Sequence, residues 1–187
     1  MKNLSIYTTK QINADTCIQF IFESVGLKKI IKIIEYTPIT FIGGRTVYNL
    51  GFGDYDVVNQ TFIDDVNSNN GDVYTVFNTV LNTVPLFFKS HPEAVIIVSG
   101  SDGCETFIKD CRQTCKKSCK SYCKNFQRRI KAYSYYINKN FQDLCEDYIF
   151  FGRNNLTENK FITYNQNDDY QDILVYKKIK SKFVLNT

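Results

Sequence analysis

The sequence has no tryptophan, one methionine, one histidine and only three prolines. The lone histidine, His91, stands next to Pro92 in an expected turn, so a serine or cysteine nucleophile would have little choice of base. There is also no G-x-S-x-G, no H-E-x-x-H and no histidine-bearing metal motif, which sets histidine-dependent hydrolysis aside. No stretch approaches eighteen uncharged apolar residues, and Met1 to Lys10 is polar with no apolar run of signal-peptide length. A cytoplasmic location is expected. In a reducing compartment the seven cysteines read as thiols or metal ligands rather than a disulfide framework, and their odd number leaves one over.

Internal repeats and low-complexity linkers are absent too. At 187 residues with 43% hydrophobic and 22% charged composition, the chain is long enough to bury a core without covalent help. We expect one α+β domain over 1–187, with 103–145 as a cysteine- and lysine-rich helical elaboration.

Strand signals dominate the first third. Cys17 to Glu23, Ile30 to Glu35 and Thr46 to Phe52 are rich in β-branched and aromatic residues, with Gly43-Gly44 a natural turn. In the third of these, Tyr48, Leu50 and Phe52 alternate with Val47, Asn49 and Gly51, giving one apolar and one mixed face. From Asp72 to Ser90 the period changes: Val73, Val76, Phe77, Val80, Leu81 and Val84 fall on one helical face. Asn69 or Asn70 is placed to cap this helix, and Pro85, lacking an N–H, is expected to kink or end it. Ala94 to Val98 reads as a central strand. A second helix is expected after Gly100-Ser101-Asp102-Gly103, with Asp102 and Glu105 spaced as N-cap and reciprocal partner. Asp147 to Phe151 and Ile173 to Ile179 read as closing strands around the polar loop Arg153 to Asp169. The order β-β-β-α-β-α-β-β predicts a mixed or mostly antiparallel sheet with two helical layers.

Cys111, Cys115, Cys119 and Cys123 stand four apart. They also fall on a 3.6-period stripe running from Cys104 through Ile130, Tyr133 and Ile137 to Leu144, so they suit a buried helix face on which thiols merely pack. One straight helix of about forty residues would run about 60 Å, roughly twice the width of a small domain. Such a helix must project as an arm or fold back. If straight, it puts Cys111 and Cys123 roughly 18 Å apart, and no single zinc reaches both. If the chain turns at Lys116-Lys117-Ser118 into a helical hairpin, two facing pairs of thiolates can hold a structural zinc. Zinc is the preferred expectation, with core thiols, an iron–sulfur cluster or disulfides left open; Cys17 and Cys145 are assigned to packing.

The same segment is strongly basic. Between Cys104 and Tyr133 lie nine Lys or Arg and two acids, which suits an anionic partner such as nucleic acid or an acidic protein. Lys116, Lys117, Lys120, Lys124, Arg128 and Arg129 are the candidate contacts, interleaved with Tyr122, Phe126, Tyr133, Tyr135 and Tyr136. Asp54, Asp56, Asp64 and Asp65 form an acidic stretch, an alternative carboxylate site for a metal-dependent enzyme acting on a phosphate-containing substrate. Asp65 to Gly71 begins like a calcium loop, but its glycine falls one place late and Val76 occupies the position of the bidentate glutamate. The Gly100 to Gly103 turn lacks the nucleotide-loop pattern and reads as an ordinary capped turn.

The run Tyr48-Asn49-Leu50-Gly51-Phe52-Gly53-Asp54, followed by Asp64-Asp65, Ser68-Asn69-Asn70-Gly71-Asp72 and Val98-Ser99-Gly100-Ser101-Asp102, resembles a family of bacterial proteins of unknown function found mainly in Bacteroidota. That resemblance, over roughly Phe20 to Ile179, implies bacterial cytoplasmic origin and transfers no catalytic residue. The expected function is a non-enzymatic binding or regulatory module with a structural metal site and a basic patch. A metal-dependent enzyme and a structural homo-oligomer are the alternatives.

Overall fold

The computed structural model describes residues 5–14, 16–59, 61–63, 70–100, 102–114, 119, 122–154 and 160–179. Along them run β1 (Lys10–Asn13), β2 (Ile18–Val25), β3 (Lys29–Ile42), β4 (Arg45–Asp56), β5 (Thr61–Ile63), α1 (Val73–Ser90), β6 (Val95–Ser99), α2 (Glu105–Thr114), α3 (Arg128–Lys139), α4 (Phe141–Asp147), β7 (Tyr148–Arg153), β8 (Ile162–Thr163) and β9 (Asp172–Lys177).

The strands form one nine-stranded sheet in the order β1-β2-β3-β4-β6-β9-β7-β8, with β5 also on β4. Every pairing is antiparallel except β4 with β6, where Val47, Tyr48 and Asn49 lie opposite Val95, Ile96 and Ile97. A parallel pair needs a long crossover, and α1 supplies it. The fold is thus α+β with a largely antiparallel sheet. The element order differs from expectation through three short strands, β1, β5 and β8, and through the division of the long helical segment.

Alternation along the strands separates two faces. Phe20, Phe22, Ile34, Tyr36, Leu50, Ile96, Val98, Phe150 and Ile173 join Val76, Val80, Phe87 and Phe88 of α1 and Ile130, Tyr133 and Ile137 of α3 in the main core. On the opposite face Val47, Val95 and Leu174 are buried among Ile97, Phe151, Phe161 and Tyr176. Tyr48, Leu50 and Phe52 therefore point toward the helices, and Val47 points away, as their alternation predicts.

One expectation needs correction. Pro85, expected to kink or end the helix, does not end α1, which continues to Ser90. Pro85 lacks the N–H that would meet the Leu81 carbonyl, and its ring lies on the exposed side of the helix, away from the core. The long cysteine stripe is not one helix. It is split among α2, α3 and α4, and only its later part, Ile130, Tyr133 and Ile137, is buried in the main core.

Candidate functional site

The site is organised by the turn after β6. Gly103 N–H donates to the Gly100 carbonyl at 3.2 Å, and Ile108 N–H to the Cys104 carbonyl at 3.3 Å, so α2 starts immediately beyond the turn. Its first amides are met by Cys104, whose Sγ accepts the Phe107 N–H at 3.4 Å and lies 2.9 Å from Thr106 Oγ1. The Thr106 hydroxyl and then the Phe107 amide hold the Cys104 thiol below its ordinary pKa, because both favour the anion.

Asp102 does not act as the expected cap of α2. Its carbonyl accepts the Gln127 N–H at 3.0 Å, and its carboxylate Oδ2 accepts the Arg129 N–H at 3.0 Å. The buried aspartate thus caps α3, and the chain leaving along α2 has returned to its starting turn by Gln127. Gln127 makes that return in the left-handed region, at φ 55°. The residue spacing Asp102-x-x-Glu105 fits a local capping box equally well, but a distant helix end has taken the aspartate.

This return brings Ile108 and Arg112 of α2 opposite Tyr122, Cys123, Lys124, Phe126, Arg128 and Lys131, which together line a groove of about 380 Å³. Arg112, Lys124, Arg128 and Lys131 are all exposed, Tyr122 is 69% exposed, and no carboxylate lines the groove among the described residues. Of the expected contacts, Lys124 and Arg128 stand here. Arg129 donates its backbone N–H to the capping bond with Asp102 and does not line the groove, and Lys116, Lys117 and Lys120 lie outside the described residues. Arg112 and Lys131 were legible only as part of the basic count, because their meeting depends on the chain reversal.

The thiols converge only in part. Cys111 and Cys123 stand with their sulfur atoms 3.6 Å apart, and Asn125 Nδ2 donates to Cys111 Sγ at 3.3 Å. Cys119 Sγ accepts the Lys124 N–H at 3.3 Å. Cys111 lies on α2, whereas Cys119 and Cys123 belong to the connection and not to a second helix. Cys115 lies outside the described residues. Among the described residues no group of three or more metal-binding side chains comes together, and the six described cysteines are all thiols.

The acidic stretch does two separate jobs where it is described. Asp56 Oδ1 accepts the Val58 and Asn59 amides at 2.8 and 3.1 Å, and its Oδ2 accepts Asn59 Nδ2 at 2.7 Å. Those Asn59 bonds, backbone first, hold its carboxyl below the usual range. Asp54 instead forms an ion pair with Lys32 on the helix-facing side of the sheet. Asp64 and Asp65 lie outside the described residues. The Asp54–Lys32 pair belongs to a polar knot at the start of α1: Asp72 Oδ2 accepts Ser24 and Tyr7 hydroxyls at 2.6 and 2.7 Å, and Asn70 donates to Ser24 Oγ and the Lys28 carbonyl, each at 2.9 Å. Asn70 is thus a bracket for the β2–β3 turn rather than a cap of α1.

A second recess, of about 220 Å³, lies between Gly100, Gly103, Cys104, Gln127, Gln171 and Asp172. Asp172 is occupied there, accepting Ser99 Oγ at 2.5 Å and pairing with Arg153.

Fold and site together define an α+β protein with a largely antiparallel sheet and a cationic groove on a helical reversal. Residues 3–108 match the model of the DUF6934 family, a family of unknown function, and the chain belongs to that family. The match takes in the polar knot and the turn at Asp102 and ends before Cys111, so most of the groove and its thiols follow the matched segment. Comparison with curated proteins and with solved structures gives no match. Among the described residues no helix is long and apolar enough to cross a membrane.

Proposed function

We propose that this protein is a non-enzymatic binding module that takes a single-stranded nucleic acid in the groove between α2 and the start of α3. The observation that carries the reading is four exposed cations, Arg112, Lys124, Arg128 and Lys131, around one concavity with an exposed tyrosine at its edge. Phosphates are recognised by such cations, largely without regard to sequence, while the faces of unpaired bases stack on aromatic rings. An acidic peptide would use the cations equally well, but it would make no comparable use of Tyr122.

Fluorescence anisotropy with a labelled single-stranded oligonucleotide tests the proposal. Arg112→Glu combined with Arg128→Glu is expected to weaken binding at least tenfold, and Tyr122→Ala by roughly 1 kcal/mol or more from lost stacking. Unchanged affinity in the double charge reversal would refute the reading; a loss on charge reversal with none at Tyr122 would favour an acidic protein.

A structural zinc at Cys111, Cys115, Cys119 and Cys123 forms a separable part of the proposal. Two thiolates about 2.3 Å from a tetrahedral zinc stand about 3.8 Å apart, close to the 3.6 Å between Cys111 and Cys123. Metal would hold the connection that carries Lys124 against α2, and one equivalent of zinc in the purified protein is the expected result.

A further inference from the structure

We infer that Cys111 and Cys123 are a redox pair that sets the affinity of the groove. The inference rests on the groove reading for its consequence, although not for its chemistry. Cys111 belongs to α2 and Cys123 to the connection that carries the opposite wall, and their sulfurs are 3.6 Å apart. A disulfide sulfur–sulfur bond is about 2.05 Å long, so closure needs an approach of about 1.5 Å. Cys123 itself lines the groove, with Arg112 next in sequence to Cys111 and Lys124 next to Cys123. A covalent bond here would tie together the two backbone segments that present the facing cations.

The oxidant is a peroxide. The thiolate of Cys111, the more accessible of the two, attacks one peroxide oxygen; the O–O bond breaks, a sulfenic acid forms, and the departing oxygen leaves as water or alcohol after taking a proton. Cys123 then attacks that sulfur and displaces hydroxide, which takes up a proton to become the second water. Two thiols lose two protons and two electrons, and hydrogen peroxide becomes two waters. A bound zinc would compete for the same two sulfur atoms and slow both steps.

Joining Cys111 to Cys123 fixes α2 and the segment carrying Lys124 relative to each other before ligand arrives. Facing cations fixed beforehand leave less ordering to be done on binding, so the oxidised groove binds more tightly. The test uses the full chain after chelator treatment and reduction, then hydrogen peroxide, with intact mass, peptide mapping and anisotropy on the same labelled oligonucleotide. The expected outcome is a mass loss of about 2 Da, a cross-linked peptide joining Cys111 to Cys123, and affinity raised about threefold or more by preorganisation and restored to its starting value by dithiothreitol. Cys111→Ser and Cys123→Ser should each abolish both the link and the affinity change, while Cys104→Ser should leave them intact. A link elsewhere, no link, or identical affinity in the two redox states would overturn the inference. If neither state binds the oligonucleotide while the mapped link forms, the groove reading is the part that has failed.

Discussion

At the scale of single residues, Lys32 is the side chain whose role is least expected from its surroundings in sequence. It sits in a strand between isoleucines, on the same face as Ile34 and Tyr36, and is only 4% exposed. Its ammonium meets Asp54 and lies 5.7 Å from the centre of the Phe52 ring. A buried ion pair of this kind adds little net stability, but breaking it is costly because the remaining charge is stranded. Lys32→Met should therefore lower the unfolding free energy by about 3 kcal/mol or more, and adding Asp54→Leu should recover much of that loss, both read from urea denaturation. Asp72 gives the pH dependence. Burial is the largest single influence and raises its pKa, but the Ser24 and Tyr7 hydroxyls, its own backbone N–H and the Lys32 charge together outweigh burial and bring it below the usual value. A lowered folded value stabilises the protein above the unfolded pKa, near 4. That contribution is lost as pH falls through the folded value, and Ser24→Ala should shrink the loss. The sequence made Asp54 and Asp72 visible as a family-like pattern, yet it could not show that a strand lysine lies between them.

At the scale of elements, the start of α3 decides the geometry of the groove. Gln127 is held at φ 55°, a region in which a side chain crowds its own backbone and glycine does not. Gln127→Gly should raise stability by about 1 kcal/mol, whereas Asp102→Ala should lower it by about 1–2 kcal/mol by uncapping Arg129 N–H. Thermal unfolding of the two variants checks both signs; a destabilised Gln127→Gly would mean that the side chain matters more than the backbone. Helix α1 was legible because six apolar side chains share a face, although Pro85 pointed to an earlier kink or end. The cysteine segment was not. Its 3.6-residue stripe is compatible with a straight helix, and long-range contacts, the bonds from Gln127 and Arg129 back to Asp102 and the meeting of Cys111 with Cys123, separate a return from a rod.

At the scale of the whole molecule, strands from both halves of the chain form one sheet, with β9 between β6 and β7. Long β-branched runs announced β2, β3, β4, β6, β7 and β9, and their alternation assigned the faces. The two- to four-residue strands β1, β5 and β8 carry too few residues for a period of two to be read. The same limit applies to the groove, whose cations come from α2, the connection and α3 and meet only once the sheet and turn have placed them. The central claim is that these cations face phosphates, and the salt dependence of oligonucleotide binding tests it most directly. Four cations on a single strand predict that log affinity falls against log salt with a slope of about −3, at roughly 0.7 per phosphate neutralised. The slope should lie closer to zero in the Arg112→Glu, Arg128→Glu protein. A wild-type affinity independent of salt would contradict the account.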